Sequence, residues 1–213
     1  MRDQKSIFLE GEGDAWYARN KVALAARKLP GDDAVLTELI SIFPCFSELR
    51  ILEVGCGGGE RLVWLKSQGA DVCGIDPSKE AIDIVVGKGV KANVGTADKM
   101  PYESNIFDIV IVGFCLYLCD RHDLFKISAE VDRVLKPNAW VVILDFYSKT
   151  HASNAYAHAG GLSSFKMDYS SIFTWHPYYF LVVQKIIDHN DFRNLTDVED
   201  DMMSLQVLRK KSE

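Results

Sequence analysis

The sequence predicts an α/β fold: a three-layer sheet of mostly parallel strands, helices on both faces, and an antiparallel hairpin at its C-terminal end. Three observations carry this reading. From Arg50 onward, short β-rich runs alternate with amphipathic helical stretches, the pattern of a parallel sheet. Residues 107–112 are apolar throughout after Asp108, as suits a strand covered on both faces. Residues 180–187 and 202–208 are β-rich, with a polar loop and no helix between them, so they pair antiparallel at the sheet edge.

The elements follow in order. Residues 6–29 read as a helical extension, and 32–43 as a helix stopped near Pro44. Residues 50–54 form the first strand. The helix over 61–68 turns Leu62 and Leu65 to one side. Residues 71–75 are the second strand. Ser78 caps the next helix, Ala81, Ile82 and Val85 are its inner face, and Gly87 ends it. Residues 90–94 and 107–112 are the third and fourth strands. The helix over 123–135 is stopped by Lys136-Pro137-Asn138, and 139–144 is the fifth strand.

Composition narrows the function. The chain has 213 residues, 48% hydrophobic and 25% charged, which is ordinary globular usage and fits one domain. No apolar stretch is long enough to span a membrane. No apolar signal core follows the N-terminus. A net charge of −6 without a basic run makes a poor binder of nucleic acid. Cys45, Cys56, Cys73, Cys115 and Cys119 are scattered and odd in number, which suggests reduced thiols and a cytoplasmic location. Their spacing fits no metal site, so no metal is expected.

The most informative stretch is Ile51-Leu52-Glu53-Val54-Gly55-Cys56-Gly57-Gly58-Gly59, a strand running into glycines and then a helix. Glycine permits positive φ and close approach, so a ligand can lie against bare peptide there. Asp76 closes the next strand over the same crevice, where a carboxylate suits two ribose hydroxyls. Glu53 separates two cofactor classes. A pyrophosphate would be repelled by it; a ligand carrying an ammonium and a sulfonium would be attracted.

These residues resemble the class I S-adenosylmethionine-dependent methyltransferases, with a Rossmann-like sheet, over residues 50–144. Leu52 to Gly59 matches their E-x-G-x-G-x-G motif. Gly74-Ile75-Asp76-Pro77-Ser78 resembles the ribose-binding strand end. Gly95-Thr96-Ala97-Asp98-Lys99-Met100-Pro101-Tyr102 resembles the adenine segment. Phe107-Asp108-Ile109-Val110 resembles the start of the fourth strand, and Leu135-Lys136-Pro137-Asn138-Ala139 a turn whose glycines are replaced here.

The resemblance implies S-adenosylmethionine as cofactor, with S-adenosylhomocysteine as product. The residues it implies are Glu53, Gly55, Cys56, Gly57, Gly59, Asp76, Pro77, Ala97 and Asp98, with Phe114 and Tyr117 toward the methionine end. Residues 1–49 would form a lid, with Tyr17 or Arg19 reaching the cofactor's carboxylate. Residues 50–145 would be the cofactor half, 146–179 the acceptor segment and 180–213 the hairpin. His151, His176 and Tyr147 are the candidate catalytic groups, with Asp145 and His158 behind them. A weaker resemblance suggests a small, sugar-like or other polar acceptor. The rival readings are a nicotinamide-dependent oxidoreductase and a non-catalytic methyltransferase-like binding subunit. A homodimer is a further option.

Overall fold

A computed structural model describes residues 3–212. Met1, Arg2 and Glu213 lie outside the described residues, and with them the first two residues of the N-terminus read for a signal core. A short helix α1 (Gln4–Ile7) leads through a π-helical turn (Phe8–Glu12) into α2 (Gly13–Ala25). Gly11 kinks this segment at φ +156°. The expected N-terminal helix is therefore bent rather than continuous. α3 (Ala34–Ile42) follows; the Asp33 carboxylate accepts from the Leu36 N–H and caps its start.

Five strands and their crossover helices then build the sheet. They are β1 (Arg50–Val54), α4 (Glu60–Ser67), β2 (Asp71–Asp76), α5 (Lys79–Gly87), β3 (Lys91–Val94), β4 (Phe107–Gly113), α6 (Leu124–Val134) and β5 (Leu135–Phe146). β5 starts earlier than the sequence suggests. Lys136-Pro137-Asn138 lies inside it rather than before it, and Asn138 takes the left-handed turn at φ +58° that glycine would otherwise supply. The expected acceptor segment holds a small hairpin, β6 (Ala152–Ala155) with β7 (Ser163–Lys166), and one turn of helix, α7 (Ser171–Thr174). The hairpin is polar and partly exposed, so it carries no apolar alternation to reveal it. β8 (Tyr179–Asp188) and β9 (Met202–Lys210) close the chain.

The sheet order is β3-β2-β1-β4-β5-β9-β8. β1 to β5 run parallel, and β9 pairs antiparallel with both β5 and β8. This is the expected mostly parallel sheet with an antiparallel C-terminal hairpin. Both faces are buried. One side packs Leu52, Val54, Phe107, Val110 and Val141 with α6; the other packs Ile51, Ile109 and Val142 with α3 and α4. Among the described residues, no helix is long and apolar enough to cross a membrane.

Parallel strands bring their carboxyl ends to one edge. Val54, Asp76, Val94, Gly113 and Phe146 end there, followed by their loops. The register of the antiparallel hairpin adds Met203, opposite both Phe146 and Ile187, to that same edge. The opposite edge holds Tyr179, paired with Lys210.

Candidate functional site

The glycine turn after β1 is built from backbone. The Gly55 and Cys56 N–H groups donate to the Ile75 carbonyl, at 2.9 and 3.2 Å. Gly55 and Gly57 take positive φ, and a Cβ on Gly55 would come within 3.1 Å of Cys115. The N-terminal segment, the expected lid, lies across this edge. A Cβ on Gly13 would meet the backbone of Phe8, Pro77 and Ser78 at 2.9–3.1 Å, so α2 touches the turn after β2 directly. Asp14 Oδ1 accepts from Ser78 Oγ and the Glu80 N–H, tying the lid to the start of α5.

Three cavities meet at this edge, and Trp16 and Phe114 border all of them. The first is a slot between the lid and the ends of β2 and β3, bordered by Gly55, Asp76, Pro77, Ala97 and Asp98. Asp76 accepts from the Gly57 and Ser78 N–H groups, one on each oxygen. Desolvation outweighs these bonds and pushes its carboxyl up to about 6. Each oxygen keeps a lone pair for a ligand hydroxyl. At the far end, Asp98 accepts from Lys5 Nζ at 2.7 Å and from Thr96 Oγ1 at 2.7 Å. Burial would raise its carboxyl, but these bonds win and hold it below its usual range.

The second cavity is small and lined by charge: Glu53, Arg61, Asp33 and Arg27, with Gly55, Cys56 and Gly57. Arg61 Nε donates to both Asp33 oxygens at 3.0 and 2.9 Å, and Nη1 donates to Glu53 Oε1. These partners overcome burial and keep the Arg61 guanidinium charged. Burial raises Glu53 to about 7 despite Arg61. Glu53 Oε2 is fully buried and has no hydrogen-bond partner among the described residues. An orphaned carboxylate oxygen on a residue that borders a cavity is what an ammonium donor would satisfy. Arg27 borders the same space, 3.5 Å from Asp33 Oδ2, and offers a cation for a ligand carboxylate.

The third cavity is wide, about 690 Å³. Its inner wall is aromatic: Phe114, Tyr117 and Phe146, with His189 beside them. Arg27, Tyr156, His158 and Lys166 border it elsewhere.

Several expected residues lie elsewhere. Gly59 faces the Val85 side chain, where a Cβ would sit 2.9 Å away, so its smallness serves α4–α5 packing. Tyr17 is buried in the lid, its hydroxyl against Gly58. Arg19 Nη2 donates to Glu12 Oε1 and to the Tyr156 hydroxyl, which fastens the lid to the segment after β6 rather than facing a cavity. His176 sits just before β8, at the edge opposite the cavities, with its ring among Trp175, Tyr178 and Tyr179. His151 is exposed beside Phe165, outside the three cavities. Tyr147 borders none of them either; its N–H is spent on the Met202 carbonyl. Asp145 is fully committed: its carboxylate accepts from the N–H groups of Cys115, Leu116, Tyr117 and Phe146 and holds the turn after β4.

Other residues escape sequence reasoning. Arg61 opens α4 after the glycine turn and carries a positional signal. Arg27, Asp33 and His189 carry none, because only folding brings them to this edge.

The comparisons agree with this geometry. Residues 52–143 match the family model described as a methyltransferase domain. An uncharacterized methyltransferase of Bacillus subtilis is 25% identical over 140 residues, covering 62% of this chain and 54% of that protein. A demethylmenaquinone methyltransferase of Staphylococcus aureus is 35% identical over 105 residues, covering 46% of this chain and 43% of that protein. The chain spans about half the length of these curated relatives. In fold, it is similar to the Burkholderia thailandensis 1,6-didemethyltoxoflavin-N1-methyltransferase, solved with 1,6-didemethyltoxoflavin and S-adenosylhomocysteine bound. The TM-score is 0.70 at 14% identity, covering 97% of this chain and 89% of that one.

Proposed function

We propose that this chain, which carries a class I S-adenosylmethionine-dependent methyltransferase domain, transfers a methyl group to a small molecule held in the wide cavity. The observation that carries the reading is the buried, unpartnered Glu53 Oε2, set in one small cavity with Arg27. An amino-acid moiety presents an ammonium and a carboxylate, and these two residues complement them. Asp76 would accept from the ribose hydroxyls, and the slot bordered by Ala97 and Asp98 would take the adenine.

When bound, S-adenosylmethionine supplies a methyl group already activated by positive sulfur. The chain's residues bind, align and exclude water. Trp16 and Phe114, common to all three cavities, separate the cofactor spaces from the acceptor space. His158, Ser164 and Asn190 at the wide cavity, whose side chains make no hydrogen bond to a described residue, support a polar acceptor, the broader half of the sequence expectation.

Thermal unfolding tests the reading against a nicotinamide enzyme. Saturating ligand at a hundredfold its Kd stabilises by about 2.7 kcal/mol, which is roughly 5–10 °C for a chain of this size. S-adenosylhomocysteine gives that upward shift and NADH gives none; the reverse result overturns the reading. Labelled transfer to at least one small molecule then separates an enzyme from a binding subunit. A homodimer would use the free edge of β8, where Phe180, Leu181 and Val182 are exposed. Light scattering of the purified chain decides that.

A further inference from the structure

We infer that the wide cavity takes a flat aromatic acceptor, its ring packed in the corner of Phe114, Tyr117 and Phe146 and its acidic O–H or N–H donated to His189. The inference rests on the methyltransferase reading and names the acceptor class for the same site.

The corner is preformed. Phe146 stands between its neighbours, with ring centroids 5.5 Å from Phe114, 5.0 Å from Tyr117 and 5.0 Å from His189. The first two contacts are edge-on, at 62° and 69°, which leaves ring faces turned in different directions, as in a corner. The Tyr117 hydroxyl is held by Trp16 Nε1 at 2.9 Å, which fixes that ring beside the residue common to all three cavities. Rigid rings arranged this way favour another π-system over an aliphatic polyol.

The polar wall supports the same class. The charged groups here are largely paired with one another, which leaves neutral side chains to meet a ligand. Lys166 pairs with Asp200 and Arg193 with Asp191. Asn20 donates to the Trp16 carbonyl. His189 differs. Its main-chain N–H is anchored to the Asp201 carbonyl at 2.8 Å, while its ring nitrogens make no hydrogen bond to any described residue. One ring nitrogen of a neutral imidazole accepts, so a single acidic X–H at the edge of a bound ring finds its partner there.

The test uses the full chain saturated with S-adenosylhomocysteine. Calorimetry measures binding of 2-naphthol, 2-methylnaphthalene and methyl glucoside. 2-Naphthol binds about tenfold or more tighter than the glucoside. Phe146→Leu, which keeps bulk but removes the ring, weakens both naphthalenes about fivefold. His189→Phe weakens 2-naphthol about fivefold and leaves 2-methylnaphthalene unchanged, a split that a merely structural residue would not produce. Unfolding midpoints confirm that the variants fold, and Phe146→Tyr, which restores a ring, restores binding. Equal or tighter glucoside binding, no binding of either naphthalene, or equal losses for both in His189→Phe overturns the inference. Failure to bind S-adenosylhomocysteine at the outset instead overturns the cofactor reading beneath it.

Discussion

Arg19 and Arg27 stand eight residues apart in the lid, yet they meet different surroundings. Arg19 is spent on Glu12 and Tyr156, whereas Arg27 borders the same small cavity as Glu53, whose Oε2 has no partner among the described residues. Losing a charge-assisted bond costs about 1.5–3 kcal/mol. Arg27→Ala should therefore weaken S-adenosylhomocysteine binding by about tenfold or more, with Arg19→Ala within about twofold, as read by calorimetry. Equal losses from both would return the carboxylate role to Arg19. Glu53 and Asp76 are legible in the sequence because each follows from its place beside a glycine turn or at a strand end. Arg27 is not, because nothing local distinguishes one lid arginine from another. His189 is invisible for a different reason: its place depends on the register of β8 against β9.

We propose that the N-terminal segment from α1 to α2 acts as a lid over the sheet edge that carries the cavities. Its contact with the turn after β2 is backbone on backbone at Gly13, reinforced by Asp14 at the start of α5. A methyl group at position 13 has no flexible side chain to displace, and overpacking of this kind costs about 1–3 kcal/mol. Gly13→Ala should lift the lid, speeding S-adenosylhomocysteine release by about fivefold or more in stopped-flow measurements, with the sheet intact by circular dichroism. Unchanged release would show that the lid does not gate the slot. The helical character of this segment is readable from sequence. Its kink at Gly11 and its docking are not, since they depend on what lies beneath it.

Across the whole molecule, three buried carboxyls set opposing pH trends. Desolvation raises Asp76 to about 6, and Glu53 and Asp145 to about 7. Unfolding returns them to water, where carboxyls titrate near about 4. Between those values the folded state binds more protons, so the contribution of these groups to stability is present at low pH and lost as pH rises through their folded pKa values. Asp14, Asp98 and Glu130 are held below their usual range, so their contribution disappears only on further acidification. The unliganded chain should unfold at a higher temperature at about pH 5.5 than at about pH 8. The shift produced by S-adenosylhomocysteine should run the other way, larger at about pH 8, because an ammonium and ribose hydroxyls need ionised Glu53 and Asp76. Parallel trends in the two measurements would overturn this assignment. Asp76→Asn should flatten the ligand trend.

The alternation of strands and helices, the glycine turn, and the acidic residues at the ends of β1 and β2 are legible along the chain. These are local patterns, set by periodicity, by backbone conformation and by the end of a parallel strand. Only the tertiary structure shows that Arg27 joins Glu53 at the small cavity, that Gly59 packs against Val85, and that His189 joins His158 at the wide cavity. It also removed His151, His176 and Tyr147 from the cavity walls. Each of those outcomes depends on groups distant in sequence meeting at one edge of the sheet. Register and lid docking create such meetings, and no single segment encodes either.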